Sequence, residues 1–160
     1  MRKLILALAV CCGLTAYGCN EAKNENIAKV TQAQPQKTRN RVEILYFHGK
    51  QRCATCMAIE KNTRELVNTT FAKELKNGTV VFKIVDISTK EGEKMADKYE
   101  VTWSSLYVNK WKDGRETRNN MTEFSFSNAR KNPEAFKNGV IKKVKALLKE
   151  NIYGMVTDIA

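Results

Sequence analysis

The stretch YFHGKQRCATCMAIE, Tyr46 to Glu60, sets two of the chain's five cysteines, Cys53 and Cys56, between an apolar run and an amphipathic one. Upstream, VEILYFH (Val42 to His48) is β-rich with few charges and predicts a buried strand. GKQR then reads as a loop. From Cys53 to about Leu75 the pattern turns helical, with Ile59, Leu66, Val67, Phe71 and Leu75 recurring at spacings of four, seven and eight. Asn77-Gly78 supplies the stop. Cys53 therefore opens a helix, where unpaired amides and a positive partial charge favour thiolate over thiol. Arg52 and Lys50 add positive charge, and such surroundings lower a cysteine pKa into roughly the 3.5–7.5 range. Cys56 returns to the same side of the first turn. Cys53 can then attack a disulfide, and Cys56 can release the mixed disulfide that forms.

Three readings of the pair compete: a redox dithiol, half of a metal site and a structural disulfide. The N-terminus helps to separate them. Arg2 and Lys3 precede LILALAVCCGLTA (Leu4 to Ala16), an apolar stretch too short for a comfortable mature membrane span. Residues 1–18 read as a signal peptide, with Gly18-Cys19 as the processing point of a lipoprotein. Ala16 stands where a tight lipoprotein signal has leucine. Plain secretory cleavage and an uncleaved anchor are the alternatives, and all three put the domain outside the cytoplasmic membrane, in the periplasm or facing it. Cys11 and Cys12 then belong to the leader and Cys19 carries lipid, which leaves Cys53 and Cys56 as the free thiols. A disulfide spanning two intervening residues closes almost no loop and stabilises little. A closed zinc site needs four ligands, and the sequence has one histidine, His48, to add to these thiols. Both eliminations favour the redox dithiol.

Residues 19–40 are polar, contain Pro35 and read as a flexible tether. The ordered domain is expected over 41–154, with 155–160 as a tail. TVVFKIVDIS (Thr79 to Ser88) is the most continuous apolar run after the leader and predicts a central strand covered on both faces. A short helix fits Lys90 to Tyr99. SSLYVNKW (Ser104 to Trp111) predicts a third strand, KDGR a hairpin turn, and ETRNNMTEF (Glu116 to Phe124) a polar fourth strand at an edge. FSFSNARKN (Phe124 to Asn132) reads as a loop with two aromatic anchors. Pro133 starts a last helix whose face carries Phe136, Val140, Ile141, Val144, Leu147 and Leu148, and Gly154 ends it. The order is β-α-β-α-β-β-α, an α/β domain with a mixed sheet and helices on both faces.

The residues from Arg41 to about Gly154 resemble the thioredoxin-like superfamily in its compact form. RCATC takes the place of the active-site dithiol. VFKIVDIS, with Lys83 and Asp86, resembles the strand in which thioredoxins carry a lysine and then an aspartate. YEVTWSSLYV followed by KDGRE resembles the segment leading to the glycine turn. Within that superfamily, YFHGKQRCATCMAIEKNT resembles the small exported ArsF proteins, named as subunits of a nitrophenyl compound nitroreductase. The resemblance implies an exported, membrane-tethered thiol-disulfide oxidoreductase or electron-carrying subunit with catalytic Cys53 and Cys56. It also implies a membrane thiol donor that re-reduces the pair and a partner reductase subunit. Two departures stand out. The family's cis-proline, which helps to keep metals off the thiols, is replaced by Ser104 or Ser105. Its buried acid in the first strand has no counterpart among Leu45, Tyr46 and Phe47. The alternative function is a soft-metal or metalloid carrier, for arsenic or copper, using the same vicinal thiols.

Neighbouring residues are weighed as candidates. His48 is a base or ligand, or a polar strand end. Trp103 walls a substrate groove, or packs. Lys83 snorkels out of its strand. The net charge of +11 comes from lysines spread over helix faces without interleaved aromatics, so no nucleic-acid partner is expected. No glycine loop for a flavin or nicotinamide is present, and no cofactor is expected beyond the redox-active disulfide. A nitro-reducing step would need a cofactor elsewhere.

Overall fold

The computed structural model describes residues 40–157, with side chains to residue 151. The leader, Cys19 and nearly all of the tether lie outside the described residues, as do the last three positions. Nine elements follow in order: β1 (Arg41–His48), α1 (Ala54–Thr70), α2 (Ala72–Asn77), β2 (Val80–Asp86), α3 (Lys90–Tyr99), β3 (Ser105–Lys112), β4 (Arg115–Thr117), α4 (Thr122–Asn128) and α5 (Pro133–Thr157). The sheet has the order β2-β1-β3-β4. β1 runs parallel to β2, as a strand–helix–strand crossover requires, and antiparallel to β3. Asp113 and Gly114 adopt positive φ of 50° and 76° in the β3–β4 turn, the conformation that a tight hairpin demands. The mixed sheet with helices on both faces is the expected architecture.

β1 is the spine. Val42, Ile44 and Tyr46 point to one face and pack with Ile59, Leu66 and Val67 of α1 and Phe136, Val140 and Val144 of α5. Leu45 and Phe47 point to the other, against Val85, Ala96, Tyr99, Val101 and Tyr107. Each such side chain contributes about 1.5–3 kcal/mol through burial. This two-sided core fixes the C-terminal end of β1, and with it the loop that leads into α1.

Several local expectations need correction. β2 is not the central strand but the edge. Its apolar run is only partly covered, and Lys83 sits there half-exposed in an ion pair with the buried Glu43. A charged side chain on an edge strand discourages pairing with another chain. The first helix is two helices, because Phe71 leaves helical geometry at φ −118° and ψ 27° while still burying its ring in the core. The fourth strand is three residues long, and residues beyond it meet β3 not as a continuous ladder but through Val108 N–H to Asn119 O, Met121 N–H to Leu106 O, a bridge at Asn120 and side-chain hydrogen bonds at Asn119, Asn120 and Thr122. The segment expected to be a loop contains α4, started by Asn120 Oδ1 accepting from Thr122 N–H at 2.9 Å. α5 runs through Gly154 rather than ending there.

Candidate active site

Cys53 is the N-cap of α1. Its Sγ accepts the Cys56 backbone N–H at 3.1 Å, and its extended backbone (φ −72°, ψ 163°) is the geometry that caps adopt. The first turn of α1 carries no acidic side chain, so the positive end of the helix acts undiminished on that sulfur. Cys53 and Cys56 are disulfide-bonded, with Cα atoms 5.0 Å apart. Their environments differ: Cys53 is exposed, whereas Cys56 is 6% exposed and packs inward.

The dithiol lines a groove of about 670 Å³. Arg52 flanks it on the chain's approach, and Ile87, Trp103, Ser104 and Phe126 close the opposite side. Ser104 is therefore the serine facing the dithiol. Ser105 is buried, with its hydroxyl donating to Trp103 O at 3.2 Å, and lines a neighbouring cleft. Trp103 is 61% exposed and stacks on Phe126 with centroids 5.3 Å apart. It is among the residues that line the groove. His48 is not brought to the groove: its Nδ1 lies 3.0 Å from Gly49 O, and its strand partner is Asp86.

Arg52 does more than stand beside Cys53. Its guanidinium pairs with Glu60 and lies 5.8 Å from the Tyr46 ring centroid. Glu60 also accepts from Arg64 at 2.9 Å. Burial would raise the Glu60 carboxyl, but hydrogen bonds from Arg64 and Arg52 outweigh it and hold the group below its ordinary value. Beneath the dithiol, Tyr46 is fully buried and its hydroxyl donates to Cys56 O at 2.7 Å. Burial pushes this phenol up, against hydrogen bonds with Arg52 and Ser104, so it stays a protonated donor at neutral pH.

Glu60 and Phe126 are site residues that the sequence reading passed over. Glu60 was legible in principle, four residues after Cys56 and thus on its helical face. Phe126 was not, because it sits on the unexpected α4. A buried carboxylate does exist in β1, namely Glu43, which is 3% exposed. It forms an ion pair with Lys83 and accepts from Trp111 Nε1–H at 2.8 Å, and it sits toward the start of the strand rather than at the dithiol end. Among the described residues no group of three or more His, Cys, Asp or Glu lies together as a metal site would require.

The dithiol thus caps the helix that follows β1, in a mixed four-stranded sheet of order β2-β1-β3-β4 with helices on both faces. Among solved structures, the chain is similar to a thioredoxin from Thermus thermophilus, at 16% identity and TM-score 0.45, over 69% of this chain and 76% of that one. It is also similar to thioredoxin-2, described as a component of malaria parasite protein secretion machinery, at 22% identity and TM-score 0.36, over 51% and 71%. A third likeness is to a malarial protein, at 20% identity and TM-score 0.36, over 52% and 83%. No family model and no curated protein matches the chain.

Proposed function

We propose that this domain is a thiol-disulfide oxidoreductase. The observation that carries the reading is the exposed helix-capping Cys53, its sulfur held by an amide and joined to a buried Cys56. In the reduced form the Cys53 thiolate attacks one sulfur of a substrate disulfide. That S–S bond breaks, the departing sulfur leaves as thiolate and takes a proton from solvent, and a mixed disulfide joins Cys53 to the substrate. Cys56, giving up its proton, attacks Cys53 Sγ and expels the second substrate thiolate. Two electrons and two protons have passed to the substrate, and the pair is left oxidised. A dithiol donor at the membrane returns them. Tyr46 holds the Cys56 carbonyl and so fixes the first turn while the sulfurs exchange partners.

The finer reading is that the domain is exported, tethered by lipid at Cys19, and serves a partner reductase subunit of the nitrophenyl-reducing kind that the ArsF resemblance suggests. The sequence offers no flavin or nicotinamide loop, so the role proposed is delivery of electron pairs rather than reduction of a nitro group. The test is transfer from pre-reduced protein to a protein disulfide such as that of insulin. Activity should vanish in Cys53→Ser, and Cys56→Ser should accumulate a mixed disulfide through Cys53. Retention of one trivalent arsenic or Cu(I) per chain, with no disulfide reduced, would contradict this reading and favour the carrier.

A further inference from the structure

On the far side of Trp103 and Phe126 lies a second cleft, of about 900 Å³. These two stacked rings line both spaces, so the cleft shares a wall with the dithiol groove. Its other sides come from the end of α3, the start of β3 and the α4 helix. Val101, Tyr107 and Phe124 give it an apolar floor, and Asn120 and Ser127 give it hydrogen-bonding edges. Two charged residues line it, and both are acidic: Glu100 and Glu123. Among the described residues neither is in a salt bridge. Glu100 is held at the end of α3 in left-handed geometry, φ 55°, which a non-glycine residue seldom adopts without support. On a chain of net charge +11, a cleft whose charges are exclusively negative and unpaired stands out against its surroundings.

We propose that this cleft is the specificity pocket of the oxidoreductase, taking an aromatic or large aliphatic side chain with an adjoining lysine or arginine from the polypeptide whose disulfide is exchanged at Cys53. The inference rests on the oxidoreductase reading and names its substrate class. The apolar side chain enters between Trp103 and Tyr107. The neighbouring cation meets Glu100 and Glu123 at the rim, where opposite charge steers association and fixes register. The substrate sulfur then reaches the dithiol across the Trp103–Phe126 wall. Trp103, which lines both spaces, is 61% exposed, so its indole is open to an incoming side chain.

The experiment uses pre-reduced protein in single turnover, so no further reductant is required. The substrates are short single-cysteine peptides, each disulfide-linked to 2-mercaptoethanol. They carry Phe-Lys, Phe-Glu or Ser-Lys just after the cysteine. The symmetrical disulfide of 2-mercaptoethanol is the small neutral control. In each case the dithiol gives two electrons to the substrate disulfide and ends oxidised. The second-order rate constant for the Phe-Lys peptide should exceed that for Phe-Glu by about tenfold, the combined effect of attraction and repulsion at two exposed carboxylates. It should also exceed that for Ser-Lys. In a protein carrying Glu100→Gln and Glu123→Gln, the Phe-Lys to Phe-Glu ratio should fall to within about twofold of unity, because the attraction and the repulsion are removed together. Reduction of the neutral disulfide with equal rates for all peptides would overturn the pocket while leaving the oxidoreductase reading intact. A charge preference that survives in the double variant would also overturn it. Failure to reduce even the neutral disulfide would overturn both.

Discussion

At Cys53 and Cys56 burial divides one chemistry into two roles. The exposed sulfur sits at the positive end of α1 and receives an amide hydrogen bond, whereas the buried one must lose solvation to ionise. Reduced protein labelled with iodoacetamide at graded pH should therefore alkylate at Cys53 first below neutrality, as read by peptide mass. Faster labelling of Cys56 would contradict the division. Arg52 and Glu60 set the local field, because Glu60 draws the guanidinium's charge away from the sulfur. Glu60→Gln should leave that charge less compensated and speed Cys53 alkylation at pH 6 by about two- to fivefold, whereas Arg52→Gln should slow it. The same pair predicts an acid limb. The Glu60 carboxyl is held below its ordinary value in the folded state, so its contribution is fully present above that value. The contribution is lost as the pH falls from about 4.5, the ordinary value, through the lowered one. The loss, about 0.5–1 kcal/mol for a pair this open to water, should be absent in Glu60→Gln when unfolding is followed in urea. Tyr46→Phe removes the hydroxyl from Cys56 O and should cost about 1 kcal/mol in the same measurement.

Among the elements, those whose buried face is large and apolar were legible from the sequence, and those whose buried face is small or polar were not. β1 and α1 announce themselves through Ile44, Ile59 and Leu66. α4 does not, because the residues it buries are Thr122 and Ser125, with Ala129 just beyond, at helical spacing, while the aromatic Phe124 and Phe126 remain half-covered. Alternating aromatics and serines conceal that period. The break at Phe71 is hidden for the opposite reason: Phe71 and Leu75 keep feeding the same core on both sides of it. β2 reads as central because its run is rich in β-branched residues, but strand order is a property of the pairing partners, which no local window contains. The place of α4 is fixed by Asn62 Nδ2–H donating to Ala129 O at 2.8 Å and by Phe124 lying over Gly139 of α5. Between β2 and α3 the fit is tighter still. A Cβ on Gly92 would lie 1.8 Å from the Asp86 carbonyl oxygen, a backbone atom with nowhere to turn. Gly92→Ala should thus destabilise the fold by about 1–3 kcal/mol, although alanine favours a helix interior by nearly 1 kcal/mol. A stabilised variant would show that the two elements are not in this contact.

On the scale of the molecule, the sheet presents the end of its central strand, the first turn of α1 and the aromatic pair Trp103–Phe126 at one place, with the dithiol among them. The sequence gives the position of the thiols through their spacing. It does not reveal that Ser104 rather than Ser105 faces them, or that α4 supplies a wall, since both depend on how distant segments meet. The central claim is that the pair cycles between dithiol and disulfide. The measurement that tests it most directly is a redox titration of the protein in graded thiol–disulfide buffers, with the free thiols trapped by alkylation and counted by mass. The account predicts one reversible two-electron transition, its ratio of forms changing tenfold per about 30 mV, and its loss in Cys53→Ser and in Cys56→Ser. A chain whose Cys53 and Cys56 stay unlinked at every potential, or stay linked at every potential, would contradict it.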